Sequence, residues 1–318
     1  MDATGLLVNK YKLNRKLTDE ERANRIDQKL RVDGTPFYNL SVIRMNSTYI
    51  ECIDRWFRER GYLTLISLLA LSGLSAMLWY VVISRILFDD ALHKEYQIWW
   101  FGPGFFILFS IGYYIFSLPL RTECFTLTHF PIRFNYRNRM VYAFRPNGTI
   151  VSAKWDDIFF TLGRGIYYSG VQNWDIRGHI LDKDGETVLY TFALPGDSTR
   201  PERLYRGCWE LVRRYMEEGP DSVYTDVLWC QDIATRRESY RAGLTMSFFN
   251  LNGWPIFQLL LSPIVFACSL GRWVSTHTSK IPVWPDDIES QCKVDDFDPY
   301  LRDASRNPPG IPMTYIRE

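Results

Sequence analysis

Two long apolar segments without a single charged residue stand out in the hydropathy pattern of this chain. They cover residues 63–83 and 98–120. About 20 apolar residues in a helix span a hydrocarbon core of about 30 Å. The pattern therefore predicts a transmembrane helical hairpin over residues 62–120. Pro119 is expected to stop or kink the second helix.

A third apolar segment, 254–274, is weaker because Pro255, Gln258, Pro263 and Arg272 interrupt it. It fits a further span, a re-entrant hairpin or a helix lying in the membrane plane. We favour a re-entrant or interfacial segment, which together with a preceding helix makes up residues 221–274. The tail, 275–318, is polar and rich in Pro and Asp, so it is expected to be extended or partly disordered.

Residues 121–220 show short alternating runs separated by turn residues such as Asn147-Gly148 and Asp184-Gly185. Short strands joined by tight turns are typical of an antiparallel meander. A helix that ends at Gly219-Pro220 follows them. We therefore predict a small antiparallel β domain with a pleckstrin-homology-like (PH-like) outline, consisting of about seven strands and a C-terminal helix. The predicted strands are 124–129, 131–136, 140–145, 149–155, 158–162, 171–181 and 186–194.

The first 61 residues are polar and are predicted to be a helical region. Thr18 and Glu21 have the spacing of a capping box, and a second helical stretch is predicted from Ser47. No cleavable signal peptide is expected, since no short apolar core lies near the start. The predicted fold class is thus an α+β membrane protein. Its predicted parts are an N-terminal region (1–61), a hairpin (62–120), a β domain (121–220), a helix with the third apolar segment (221–274) and a tail (275–318).

The charge pattern predicts how the hairpin is oriented. Residues 1–61 carry twelve Lys and Arg, whereas the loop 84–97 holds Arg85 and Lys94 beside three acidic residues. Because cytoplasmic flanks are enriched in cations, the N-terminus and the β domain are expected in the cytoplasm of a bacterial inner-membrane protein. The overall charge of +1 gives no indication of nucleic-acid binding.

Three sets of residues are candidates for contacts. Small residues at helical spacing would let another helix approach closely; they are Ser67, Ala70, Gly73 and Ala76. Cations in the first predicted strands of the β domain would face anionic headgroups or water; they are Arg133, Arg137, Arg139, Arg145 and Lys154. Aromatic residues would lie at the membrane interface; they are Trp56, Trp79, Trp99, Trp100 and Trp254.

No motif indicates catalysis, a cofactor or a metal. The four His and six Cys show no metal-ligand spacing. Gly163-Arg164-Gly165 lacks the remainder of a phosphate loop, so a turn or bulge is expected there. Neither predicted span holds an ionisable residue, although transport pathways usually need one. The hairpin is therefore interpreted as an anchor or a helix-packing partner.

Several runs resemble an uncharacterised family of bacterial membrane proteins. They are FPIRFN at 130–135, VYAFR at 141–145, WDDI at 155–158, WELVRRYMEEGP at 209–220 and NGWP at 252–255. Members of that family are encoded near type VI secretion and polymorphic-toxin genes. The resemblance therefore implies a non-catalytic immunity or accessory protein that binds a secreted toxin or a secretion component. The alternative is a membrane-anchored structural or lipid-sensing scaffold, and a homo-oligomer is left open.

Overall fold

A computed structural model describes residues 11–87, 95–168, 171–196, 198, 200–249 and 255–310; side chains at 85–101, 166–168 and 171 lie outside this description. The chain divides into two compact units. The β unit comprises Met1–Arg58, Leu127–Glu238 and Ile281–Glu318, and the helical unit comprises Glu59–Thr126 and Ser239–Lys280. The units are therefore interleaved along the sequence.

All strands of the described residues belong to the β unit and pair antiparallel. They are β1 (Arg15–Lys16), β2 (Arg25–Ile26), β3 (Val42–Met45), β4 (Tyr49–Cys52), β5 (Ile132–Asn135), β6 (Met140–Phe144), β7 (Ile150–Lys154), β8 (Ile158–Tyr168), β9 (Val171–Leu181) and β10 (Thr187–Ala193). One sheet has the order β3-β4-β5-β6-β7, and the other has the order β1-β10-β9-β8-β2.

The α-helices of the described residues occur in both units. They are α1 (Asp19–Ala23), α2 (Tyr62–Leu87), α3 (Glu95–Glu123), α4 (Pro201–Leu204), α5 (Glu210–Glu218), α6 (Tyr240–Phe249), α7 (Pro255–Leu260), α8 (Ser262–Thr278) and α9 (Asp286–Gln291). A π-helical turn, Tyr205–Trp209, joins α4 to α5. Thr18 caps α1 together with Glu21, as the capping-box spacing predicts.

An aromatic cluster forms the core of the β unit. The Trp155 and Trp209 rings stack with centroids 5.9 Å apart, and Phe160 lies 4.9 Å from each of them. All three side chains are fully buried. Because large aromatic side chains bury 150–250 Å² each, this cluster contributes substantial apolar contact between the π-helical turn before α5 and the start of β8.

The strands agree with six of the seven predicted in 121–220. The seventh, 124–129, is absent because α3 continues to Glu123 and the chain then bends. The helix predicted from Ser47 is wrong: β3 and β4 form a hairpin there, and β4 pairs with β5. Both short strands carry almost wholly buried side chains. A strand buried on both faces lacks the alternation that would reveal it in the sequence.

The C-terminal segment is packed rather than extended. Trp284, Ile288 and Cys292 join the core beside the first sheet. The Trp284 indole N–H donates to Glu51 over 2.9 Å, and Arg302 forms an antiparallel bridge with Met45. Residues 281–302 are therefore part of the β unit, despite their polar composition.

The helical unit is built on the hairpin of α2 and α3. The Ser75 and Tyr113 hydroxyls lie 2.6 Å apart between these two helices. Helix α8 packs against α2, and α6 packs against α8. Pro119 does not stop α3, which continues to Glu123.

Candidate functional site

The helical unit presents an extensive apolar surface. Within the described residues, two helical stretches, Tyr62–Ser84 and Gly102–Glu123, are long and apolar enough to cross a membrane, by length and composition alone. Only 6% of the most apolar stretch of each is buried within the protein. A core helix of a soluble protein would be mostly buried. The hairpin is thus apolar on the outside, as a lipid-facing helix pair is.

Helices α7 and α8 also expose large apolar side chains. The exposed large apolar side chains there are Ile256, Phe257, Leu259, Leu260, Ile264, Phe266, Leu270 and Trp273. Soluble monomers rarely expose contiguous apolar patches larger than a few hundred Å². The third apolar segment therefore shares the surface character of the hairpin.

The predicted small-residue face does not form one packed seam within the chain. Ser67 is fully buried, whereas Gly73 and Ala76 are exposed. A Cβ built on Gly73 would meet no atom within 4 Å. Within the chain, the close approach between α2 and α3 occurs instead at Leu74 and Gly112, where a Cβ on the glycine would lie 3.2 Å from Leu74. Any partner for Gly73 and Ala76 would have to come from outside the described chain.

Arg133 is not available to headgroups, contrary to the prediction. It is 2% exposed. Its guanidinium donates to Glu51 over 2.9 Å and lies between the rings of Tyr49 and Trp284, at 4.2 and 4.4 Å. The nearby carboxylate raises the pKa of Arg133 in spite of its burial. A buried guanidinium needs such partners, because an unpaired buried charge is costly.

The other predicted cations are dispersed. Arg139 forms two 2.7 Å hydrogen bonds to Asp156, and Arg137 pairs with Asp295. Arg145 lies over the Tyr190 ring at 4.8 Å. Lys154 is exposed, and no carboxylate of the described residues pairs with it. The strands therefore do not present the five side chains as one basic surface.

The predicted interface aromatics divide between the two units. Trp79 is 65% exposed on α2, as an interfacial side chain would be. Trp56 belongs to the β unit, where the Arg55 guanidinium lies 4.8 Å from its ring. Trp254 lies outside the described residues, and Trp99 and Trp100 lie in the part of α3 whose side chains are not described.

A buried polar cluster ties together three helix ends of the helical unit. One Glu123 carboxylate oxygen accepts from the amides of Gly61 and Thr64, at 3.0 and 2.9 Å, and from the Thr64 hydroxyl at 2.7 Å. The first amides of a helix have no partner within that helix, and a carboxylate at the N-terminus satisfies them. Glu123, the last residue of α3, therefore caps the beginning of α2. We call this arrangement the helix-end clamp.

Arg60 completes the helix-end clamp from the other side. Its guanidinium donates to the Glu123 carbonyl, to the Ser275 hydroxyl at 2.6 Å and to the Ser279 hydroxyl at 2.9 Å. Arg60 and Glu123 are each 8% exposed. The charged side chains of Arg60 and Glu123 are thus both buried, and their hydrogen bonds connect the start of α2, the end of α3 and the end of α8.

Two glycines allow α2 and α8 to cross beside this clamp. A Cβ on Gly61 would lie 2.5 Å from the Arg272 amide nitrogen, and one on Gly271 would lie 2.5 Å from the Gly61 carbonyl oxygen. No side chain fits at such a distance. The sequence analysis did not predict the helix-end clamp. The only sign of it in the sequence is that the charged residues Arg60 and Glu123 flank the two apolar runs.

A second polar cluster lies sealed within the β unit. His179 is hydrogen-bonded to Thr191 at 2.7 Å and lies 3.3 Å from Glu21. All three side chains are 6% exposed or less. Burial lowers the pKa of His179, whereas hydrogen bonds hold the pKa of Glu21 below its usual range despite its burial. The trio has the residue types of a nucleophile, a base and an orienting acid, and all three residues are buried in this structure.

A separate cavity of the β unit is small. It measures about 10 Å³ and is lined by Asp54, Arg55 and Tyr190 among apolar side chains. That volume holds about one water molecule. Among the described residues, no group of three or more His, Cys, Asp or Glu is placed to hold a metal ion, and all six Cys are buried and unpaired.

Comparison with known proteins identifies a family. Residues 109–296, from the second half of α3 through α9, match a family of unknown function, DUF6708. No curated protein and no solved structure matches the chain. Because the matched region covers more than half of the 318 residues, the chain belongs to this family of unknown function.

Proposed function

We propose that this protein is an integral membrane protein that acts by binding rather than by catalysis, with the helical unit in the bilayer and the β unit outside it. The observation that carries the proposal is the exposed apolar surface of α2, α3, α7 and α8. Water would make such a surface costly, since each Å² of exposed apolar area is unfavourable by about 25 cal/mol. A bilayer covers it at no such cost.

The interleaving of the units supports an assignment for the third apolar segment. All parts of one folded unit lie on one side of a membrane. The chain leaves the β unit after Arg58 and returns at Leu127, and it leaves again after Glu238 and returns at Ile281. Each excursion must then cross the bilayer an even number of times. Helices α2 and α3 provide two crossings for the first excursion.

A single crossing by the second excursion is incompatible with this arrangement. Helix α6 has 10 residues and is about 15 Å long, half of a hydrocarbon core of about 30 Å. We therefore propose that residues 239–280 form a re-entrant or interfacial segment, and that the C-terminal tail lies on the same side as the β unit. The excess of cations in residues 1–61 favours the cytoplasm of a bacterial inner membrane for that side.

The strand order of the β unit supports the PH-like proposal. Strands β3–β7 form one meander, β8–β10 form a second that β1 and β2 extend at its two edges, and α5 follows them. Without the N-terminal strands β1–β3, four strands, three strands and a C-terminal helix remain, which is the order of a PH-like domain. Such a domain would serve as a binding module, and the sealed position of the His179 cluster is consistent with a structural role for those polar residues.

The proposed partner is a secreted antibacterial toxin or a component of its secretion machinery, which would make this protein an immunity or accessory protein. The support for that partner is the sequence resemblance described above. The alternative is a membrane-anchored scaffold that senses lipid. The exposed cations of the helical unit, described below, favour it as a second candidate.

Membrane insertion and topology can be tested with engineered cysteines. The six native thiols are buried, so they give little background. We expect cysteines replacing Asp184 and Phe297, two exposed residues of the β unit, to resist a membrane-impermeant maleimide in intact cells. A cysteine in residues 88–94, between α2 and α3, is the matched control and should react. Extraction of the protein by alkaline carbonate would contradict membrane insertion. Labelling of the cysteine at position 297 but not of the cysteine at position 184 would contradict the proposal that the tail lies on the same side of the membrane as the rest of the β unit.

The partner can be tested independently. Affinity purification of the detergent-solubilised full chain from its native cells, read by mass spectrometry, should recover a secreted toxin or secretion component. Deleting the gene in cells that carry such a toxin should then reduce viability. Normal growth of the deletion strain in competition would argue against immunity and leave the scaffold as the better proposal.

A further inference from the structure

Exposed cations of the helical unit lie near the helix-end clamp. Arg121 is in the last turn of α3, and Lys280 follows α8 by two residues. The Ser279 hydroxyl donates to the Glu123 carbonyl over 3.1 Å, and the Lys280 amide donates to the Thr126 carbonyl over 2.8 Å. Arg121 and Lys280 are therefore close in the chain to Glu123 and Ser279, which belong to the helix-end clamp.

These cations lack carboxylate partners. Arg121, Lys280 and Arg241, in the first turn of α6, are all exposed, and no carboxylate of the described residues pairs with them. The acidic side chains described in the helical unit are Glu59 and Glu123; Glu123 is engaged in the clamp. Within the part of the chain that the structure describes, these cations of the helical unit thus carry positive charge that no carboxylate pairs with, in contrast to the paired Arg133, Arg137 and Arg139 of the β unit.

Aromatic side chains accompany the cations. Phe125 is 75% exposed and has a backbone φ of +62°, a conformation that bulky residues rarely adopt. Trp273 is 43% exposed on α8, with its ring centroid 4.5 Å from that of His277. In water, neither the exposure of the Phe125 ring nor its strained backbone would stabilise the protein. At a membrane interface its ring inserts among the headgroups, where aromatic side chains are enriched.

A second pair of exposed aromatic residues lies farther along α2, about two turns before its last residue, Leu87. Trp79 and Tyr80 are 65% and 73% exposed on α2. Trp79 lies 17 residues beyond Tyr62, the first residue of α2, so it is about 26 Å farther along the helix. That separation is close to the thickness of a hydrocarbon core, about 30 Å. The two aromatic levels are spaced as the two interfaces of one bilayer.

We propose that Arg121 and Lys280, together with the exposed aromatic side chains of Phe125 and Trp273, form a collar that binds the phosphate headgroups of anionic phospholipids. The collar rests on the proposed membrane insertion and adds a ligand to it. It also replaces the basic residues of the β strands as the lipid-contacting set. Cations next to an anionic leaflet each strengthen association about fivefold.

The test uses the full chain in detergent micelles and native mass spectrometry with equal amounts of phosphatidylglycerol and phosphatidylcholine. We expect bound phosphatidylglycerol to predominate, and the double variant Arg121→Gln/Lys280→Gln to reduce the preference at least fivefold. The matched control is Lys154→Gln/Arg200→Gln, which removes one exposed lysine and one exposed arginine from the β unit. It should keep the preference.

Several outcomes would overturn the collar: equal binding of the two lipids, an unchanged preference in the collar variant, or an equal loss in the control variant. Inorganic phosphate at the same concentration should not displace the lipid; displacement would indicate a site for free phosphate instead. Failure of membrane insertion is read separately, from the maleimide experiment. A protein that inserts but shows no headgroup preference would contradict the collar alone.

Discussion

At the scale of single residues, the buried charged side chains of Glu123, Arg60 and Arg133 each form specific hydrogen bonds or ion pairs. Glu123 and Arg60 satisfy helix ends, and Arg133 is enclosed by Glu51 and two aromatic rings. Sequence patterns revealed the charges but not their partners, because each pair joins residues far apart along the chain. Arg133 was therefore assigned to a surface, although its neighbours in β5 are buried like a core strand.

Replacing Glu123 tests the helix-end clamp. Glu123→Ala removes the carboxylate that accepts from the Gly61 and Thr64 amides and from the Thr64 hydroxyl, whereas the backbone carbonyl that accepts from Arg60 stays. Leaving buried donors without an acceptor costs about 1–3 kcal/mol. We expect that loss in the unfolding free energy of the full chain in detergent. Arg121→Ala, an exposed change two residues earlier, should stay within about 0.5 kcal/mol. Equal effects of the two substitutions would show that the clamp adds no stability.

The His179 cluster predicts a pH dependence. Burial places the pKa of His179 below its ordinary value of 6.5, so the unfolded chain takes up the proton first as the pH falls. Stability should be complete above about pH 6.5 and should decrease below it. The lowered pKa of Glu21 acts in the same direction below about pH 4.5.

This dependence can be measured from the unfolding free energy between pH 8 and pH 5.5. His179→Gln should flatten the curve in that range. The exposed His277 is the matched control, and His277→Gln should leave the slope unchanged. A wild-type curve that is already flat would refute the prediction.

At the scale of elements, strands with exposed turns were predictable and strands buried on both faces were not. The hairpins from β5 to β10 carry Asn and Gly in their turns, and Gly148 and Gly185 adopt the positive φ that such turns need. The β3–β4 hairpin is short and wholly buried, so its pattern resembled a helix. The C-terminal segment was misjudged by composition, because a few residues such as Trp284 provide its packing.

We therefore expect the packing of residues 281–310 to depend on Trp284. Trp284→Ala removes the ring that lies 4.6 Å from Phe144 and the donor to Glu51. Truncating a buried tryptophan costs about 3–5 kcal/mol. Phe297→Ala, in the same segment but at a side chain that is 97% exposed, should cost less than about 0.5 kcal/mol. Proteolysis of residues 281–310 should accelerate only in the first variant.

The crossing of α2 and α8 gives a prediction about helices. Gly271→Ala places a Cβ against the Gly61 carbonyl, and such overpacking costs about 1–3 kcal/mol. Gly73→Ala meets open space and should stabilise α2 by up to about 1 kcal/mol. Thermal unfolding in detergent compares the two variants. If Gly73→Ala instead changes the oligomeric state, the predicted small-residue face contacts a second copy.

At the scale of the whole molecule, sequence reasoning identified the apolar hairpin, most of the β strands and the helix after them. It treated the chain as a linear series of parts, whereas the compact units are interleaved. Local periodicity reports which face of an element is buried, not which distant segment covers it. The pairing of β4 with β5 across the whole hairpin, and the return of residues 281–302, were therefore beyond its reach.

This interleaving has a consequence for biosynthesis. The ribosome releases β1–β4 first and then both apolar helices. The segment that contains Trp284 emerges only about 220 residues after Arg58. Under the proposed membrane insertion, the hairpin would enter the bilayer while β5, β6 and β7 of the first sheet are still missing. We then expect a chain that is truncated or stalled after α3 to be a membrane-anchored but unfinished protein, and thus a substrate for quality-control proteases rather than a partly active product.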